Sequence, residues 1–218
     1  MATNWPTSRD TFTNPTSGDT LDSPSHAAQH ANINDAVAAM QAHAGLVLVK
    51  PTSAVNGTVG ANGAVTIGTT VSSVTVNGAF SSTFDNYRII YNNGVSSTLC
   101  ELQLRLGATS TGYYSSLVYT AWASPWTPLG TGASNGSVWT LGGAGDPDGN
   151  FMLVDVCNPY LARRTTVSGP FIGMDTDRGV GHMCGMLTNT TSYTAFTIIV
   201  STGTITGGTI RVYGYNNG

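Results

Sequence analysis

One stretch constrains this chain more than any other: Leu21 to Gly45, LDSPSHAAQHANINDAVAAMQAHAG. It is the one convincing helical segment in 218 residues. Asp22 or Ser23 can cap its start, with Pro24 at the first helical position, where a missing N–H costs nothing. Gly45 is the natural stop, because the residue after a helix often needs a left-handed backbone. The alanines between them supply helix propensity. His26, His30, Ile33, Val37, Met40 and Ala44 recur at alternating spacings of four and three. That is an a/d seam, with Ile33 and Met40 at d and Val37 and Ala44 at a. Alanines apart, the other faces are mostly polar. A stripe so narrow is less than a helix resting on a globular core normally shows. Two arrangements fit it: a short parallel coiled coil of identical chains, or a single amphipathic helix lying on a sheet. β-Branched residues at both a and d lean towards three strands, so the seam predicts a homotrimer. His26 and His30 face one way and could share a metal ion, or serve as polar seam residues that set register. No acidic or thiol ligand lies near them in sequence, so neither metal nor cofactor is expected.

After the helix the periodicity changes from helical to alternating. Leu46–Val49 reads as a short strand, 51–63 (PTSAVNGTVGANG) as loop, and 64–67 and 71–76 as short strands. Cys100, Leu102, Leu104 and Leu106 alternate with Glu101, Gln103 and Arg105, the cleanest half-buried strand in the chain. Further strands are expected at 87–91, 113–121, 137–141, 151–156, 165–174, 180–187, 194–200 and 209–215. Turn-rich stretches separate them, including DPDGN at 146–150 and TGTITGG at 202–208. Many short strands with no helix between them predict a β-sandwich or jelly roll. The expected organisation is an extended docking arm over 1–20, a trimeric coiled-coil helix over 21–45, a linker over 46–63 and a β-sandwich head over 64–218.

Composition narrows the function classes. Charged residues are 9% of the chain, against about a quarter in ordinary globular domains. Lys50 is the only lysine and Glu101 the only glutamate. The surface must be built from Ser, Thr, Asn and Gly, as in β-rich fibrous or virion-surface proteins. Hydrophobic residues at 40% exclude disorder. A net charge of −3, with no basic cluster larger than Arg163-Arg164, argues against nucleic acid. Cys100, Cys157 and Cys184 are odd in number and far apart, so free thiols in a reducing cytoplasm are expected. The start MATNWPTSRD has no apolar signal region, and no apolar run reaches membrane-spanning length. Neither secretion nor a membrane is expected.

Three stretches carry a resemblance. NPTSGDTLDSPSHAAQHANINDAV (14–37), FSSTFDNYRIIYNN (80–93) and GTIRVYGYNNG (208–218) resemble tail-fibre-like and minor tail proteins of tailed phages, especially those infecting actinobacteria. The resemblance implies a trimeric virion-surface protein made in the bacterial cytoplasm and released by lysis. It implies docking of residues 1–20 on tail or baseplate protein, or on the major capsid protein as in head-fibre and capsid-decoration proteins. The chain lacks a collagen-like or repeated shaft, which argues against a long distal fibre.

Ligand and reaction chemistry are sparse. Trp122 and Trp126 in TAWASPWTP, with Tyr113 and Tyr114, could stack on sugar rings of a host cell-surface glycan, or fill the core or a subunit interface. Asp146, Asp148 and Asn150 have a calcium-loop look, but a Pro-Asp-Gly turn explains them, and Asp175 and Asp177 are weaker still. Catalysis needs positioned acids, bases or nucleophiles. Glu101 is alone on a strand face, and His182 stands two residues from Cys184. A glycan-degrading enzyme would want two carboxylates across a cleft, whereas the aspartates here fall mostly in turns. The residues predict no enzyme.

Overall fold

The computed structural model describes residue 20 and residues 26–42, 45–123, 128–173 and 179–217; side chains 26–29, 38–39, 41–42 and 141 are outside the description. The arm 1–19, the helix-entry residues Asp22, Ser23 and Pro24, and Ala44, Trp126, Asp175 and Asp177 therefore lie outside the described residues. The chain divides into two compact units, Met1–Val47 with Asn216–Gly218, and Leu48–Tyr215.

The first unit carries α1 (His26–Ala42), 17 residues long. Its first turn has no acidic residue and its last turn no basic one, so the helix dipole gains nothing from side-chain charge. Beyond it, the Asn216 N–H donates to the Gly45 carbonyl at 3.2 Å.

The rest is strand. In chain order the strands are β1 (Leu46–Val49), β2 (Ser53–Val55), β3 (Gly57–Val59), β4 (Val65–Ile67) and β5 (Ser73–Asn77). Then come β6 (Asn86–Ser96), β7 (Cys100–Leu106), β8 (Tyr113–Thr120), β9 (Pro128–Gly136) and β10 (Trp139–Asp146). The last are β11 (Gly149–Cys157), β12 (Thr165–Ile172), β13 (Val180–Leu187), β14 (Phe196–Val200) and β15 (Ile205–Tyr215). All the registered pairings are antiparallel. The chain is mainly β with one short helix among the described residues, as the alternation predicts.

Two differences from the sequence reading stand out. The 51–63 stretch holds β2 and β3, which join the sheet through β5 and β4. Residues 128–136 (PLGTGASNG) form β9 on the outside of β8. Neither segment has apolar alternation, so register with a neighbour, not side-chain burial, makes each a strand.

The sheet forks. β15, β6 and β11 form a spine. One edge of β11 pairs with β6 from Met152 to Cys157; the other is shared. Its Gly149–Met152 half pairs with β10 and its Asp155–Cys157 half with β12. One wing then runs β10-β7-β14-β5-β2 and the other β12-β13-β8-β9. Strict alternation along β5, β7, β11 and β12 turns one face of each wing inward. Those faces meet in a single core. Tyr113 of β8 stands edge-on to Trp139 of β10, centroids 5.0 Å apart at 89°, so the wings touch across it. Gly185 of β13 makes room for that indole: a Cβ there would lie 2.8 Å from the Trp139 ring. At the other end Phe80 packs on Tyr87 and Phe196.

Candidate functional site

The first candidate is the helix seam. Ile33, Val37 and Met40 are 54, 42 and 56% exposed. His30 is exposed as well. The side chain of His26, like Ala44, lies outside the described residues. An isolated helix of this length is marginal in water, and an exposed a/d stripe is the surface through which such a helix gains partners.

The second candidate is the aromatic loop after β8. Trp122 is 51% exposed, and its indole N–H donates to the Gly173 carbonyl at 3.0 Å. The hydrogen bond holds one edge of the ring while its body meets solvent. Tyr113 does not belong here. It is fully buried, its ring against Trp139 and its hydroxyl accepting from the Leu106 N–H at 2.8 Å. Burial pushes its pKa up to about 12. The odd-numbered face of β8 turns into the core, so a sugar ring has no access to Tyr113. Tyr114, one residue on, faces the other way and is half-buried opposite Met186. The sequence paired the two tyrosines, and strand alternation separates them. A shallow groove of ≈ 460 Å³ runs along β8 and β9, lined by Ser115, Ser116, Thr131 and Ser134 among others. It offers hydroxyls but no ring for stacking.

The aspartates of DPDGN have local partners. The Asp148 N–H donates to Asp146 Oδ1 at 2.9 Å, and the Asp146 N–H to Asn150 Oδ1 at 3.2 Å. Among the described residues no group of three His, Cys, Asp or Glu could hold a metal ion. His182 and Cys184 share the exposed face of β13, two residues apart. Cys157 is half-buried, and burial pushes its thiol pKa up, away from thiolate chemistry at neutral pH. Glu101 lies on β7, its backbone bonded to Ser201.

Two polar clusters were not legible in the sequence. On the spine's outer face Arg88 makes a bidentate pair with Asp155, 2.8 Å at both contacts, and the Tyr215 hydroxyl donates to Asp155 at 2.7 Å. Inside the core the Cys100 thiol donates to Ser96 Oγ, which donates to Asn150 Oδ1. The Asn150 amide donates to the Tyr91 hydroxyl, which donates to the Gly207 carbonyl. Register and loop return bring these groups together across long sequence separations. Both clusters satisfy their own members, and neither presents a group to a reactant.

Neither a family model nor a curated protein matches the chain. Among solved structures it is similar to a chain described as "CBM4 structure and function", 12% identical over 66% of this chain and 82% of that one, with a TM-score of 0.20. A likeness that loose carries no argument about fold or ligand. No helix among the described residues is long and apolar enough to cross a membrane.

Proposed function

We propose that this is a structural virion-surface protein of a tailed phage, a homotrimeric minor tail or short-fibre appendage that takes part in host attachment. The carrying observation is the seam: Ile33, Val37 and Met40 keep a/d spacing on α1 and remain exposed. Three such helices in parallel bury that stripe around one axis. Residues 1–20 dock the trimer on tail or baseplate protein.

Two further observations support the reading. The phage-like stretches 80–93 and 208–218 fold against each other, because β6 pairs with β15 from Tyr87–Gly214 to Ser96–Ile205. Two of the three resembling stretches thus fall on the spine. The strand order also supports a jelly-roll head. In one wing β14 lies between β5 and β7, and β7 between β14 and β10; in the other β8 lies between β13 and β9. In the first wing the late strand β14 is inserted between the earlier β5 and β7, a non-sequential order of the kind that Greek-key winding produces. In the attachment role Trp122 supplies a stacking surface for a host glycan. The reading assigns the protein no catalytic role.

Light scattering on the purified chain should give three times the chain mass, and a monomer would end the trimer reading. Immunogold labelling of virions should mark the tail tip. Label over the head would instead make the protein a capsid decoration whose arm grips the shell. Release of sugar from host envelope fractions by the purified protein would contradict the non-enzymatic assignment.

A further inference from the structure

The wing β12-β13-β8-β9 contains no Lys, Arg, Asp or Glu in any of its four strands. The remainder of the sheet does carry charge, with Glu101 and Arg105 on β7, Arg88 on β6, Asp155 on β11 and Arg211 on β15. The wing's inward face is filled by residues such as Leu117, Phe171 and Met183, all buried. Its outward face is set by register. Ile172, Val180 and Thr120 lie abreast, then Pro170, His182 and Val118. Further along, Cys184 and Met186 continue the β13 row. Val118 is 62% and Val180 47% exposed, and Met186 and Cys184 are exposed too. The face therefore combines apolar and neutral polar groups with no charge.

We propose that this outward face is the head's own subunit interface, packed against sister copies of the chain. The inference rests on the self-assembly proposed above and locates its second contact. Two observations select a second copy as the occupant. Interface centres are depleted of charge, and a neutral face complements another neutral face. Strand spacing and rise give the four strands a footprint of roughly 20 by 26 Å, on the order of 500 Å² a side. That is near the lower limit for a specific contact on its own, and is sufficient when the seam on the same chain adds to it.

Cys184 is a built-in reporter. The full-length protein is first sized by light scattering. It is then pulsed with N-ethylmaleimide, and the labelled cysteines are located by peptide mass spectrometry. The same measurements are made on Val118→Asp, and on Val95→Asp as an exposed control on β6. In the wild-type oligomer Cys184 should label at least tenfold more slowly than in Val118→Asp. The Val118→Asp protein should dissociate at an at least tenfold higher concentration, with unchanged circular dichroism, and Val95→Asp should behave as wild type. If Val118→Asp does not fold, the wild-type labelling rate measured against an unstructured cysteine peptide decides. An oligomer whose Cys184 labels as fast as that peptide, or whose assembly is indifferent to Val118→Asp, overturns the interface and leaves the seam trimer standing. A monomer at every concentration overturns both.

Discussion

The Asn150 side-chain amide donates to the Tyr91 hydroxyl at 2.8 Å inside the core. The contact joins the start of β11 to the middle of β6. Asn150 also accepts from Ser96 Oγ and from the Asp146 N–H, so one buried side chain holds a hairpin, a strand and a turn. Replacing it with Ala orphans the Ser96 hydroxyl and the Asp146 amide and removes a donor to Tyr91. Buried unsatisfied groups cost about 1–3 kcal/mol each. Partial rewetting near the turn holds the expected loss for Asn150→Ala to about 3 kcal/mol. Urea unfolding at fixed protein concentration measures it, and a loss below about 1 kcal/mol would show that the network is incidental.

Closure of the two wings depends on the space above Gly185. A methyl group there would press on the Tyr114 carbonyl of β8 at 2.7 Å and on the Trp139 ring at 2.8 Å, the ring itself fully buried and edge-on to Tyr113. Overpacking of this kind costs about 1–3 kcal/mol. Gly185→Ala should lower the thermal midpoint and change the near-ultraviolet circular dichroism of Trp139. Gly149→Ala, where a Cβ meets nothing within 4 Å, is the matched control and should leave that signal alone.

The seam makes a separate prediction. Ile33→Asp with Val37→Asp places charge on the stripe that faces the partner helices. Analytical ultracentrifugation should show a dissociation concentration raised by at least tenfold. The far-ultraviolet β signal should persist, because the core lies in Leu48–Tyr215 and uses neither residue. Unchanged assembly would remove the coiled coil.

Two groups set the dependence of stability on pH. Burial alone would raise the Asp155 carboxyl, but hydrogen bonds from Arg88 and Tyr215 and the Arg88 charge outweigh it and hold the pKa below the ordinary value. A depressed folded-state pKa means the unfolded chain takes up its proton first. The contribution is therefore whole above about pH 4 and is lost as pH falls through the folded value. The pair is partly exposed, so Asp155→Asn should cost no more than about 1 kcal/mol at pH 7 and flatten the acid slope. At the other end Tyr215 is pushed up to about 12, by burial first and then by Asp155. Its raised folded-state value means that above about pH 10 the unfolded chain gives up a proton the folded chain keeps. Stability should fall between that point and the folded value of about 12, less steeply in Tyr215→Phe. Urea midpoints from pH 3 to 11 test both limbs.

Much of this protein follows from its sequence alone. Alternation in stretches such as CELQLRL determines that the chain is mainly β and which side chains enter the core, because a strand's period of two assigns its faces locally. The four-three spacing around Ile33 determines, just as locally, a stripe suited to a partner helix. Partnership across the sheet was decided only by the tertiary structure. β9 is a strand because β8 offers it an edge, β11 forks because two neighbours share its other edge, and Asn150 is a core hub because a turn returns to Tyr91. Tyr113 and Tyr114 show the divide: adjacent and alike in sequence, one is sealed against Trp139 and the other faces outward. Such contacts depend on which distant strands meet and in which register. No local periodicity encodes that.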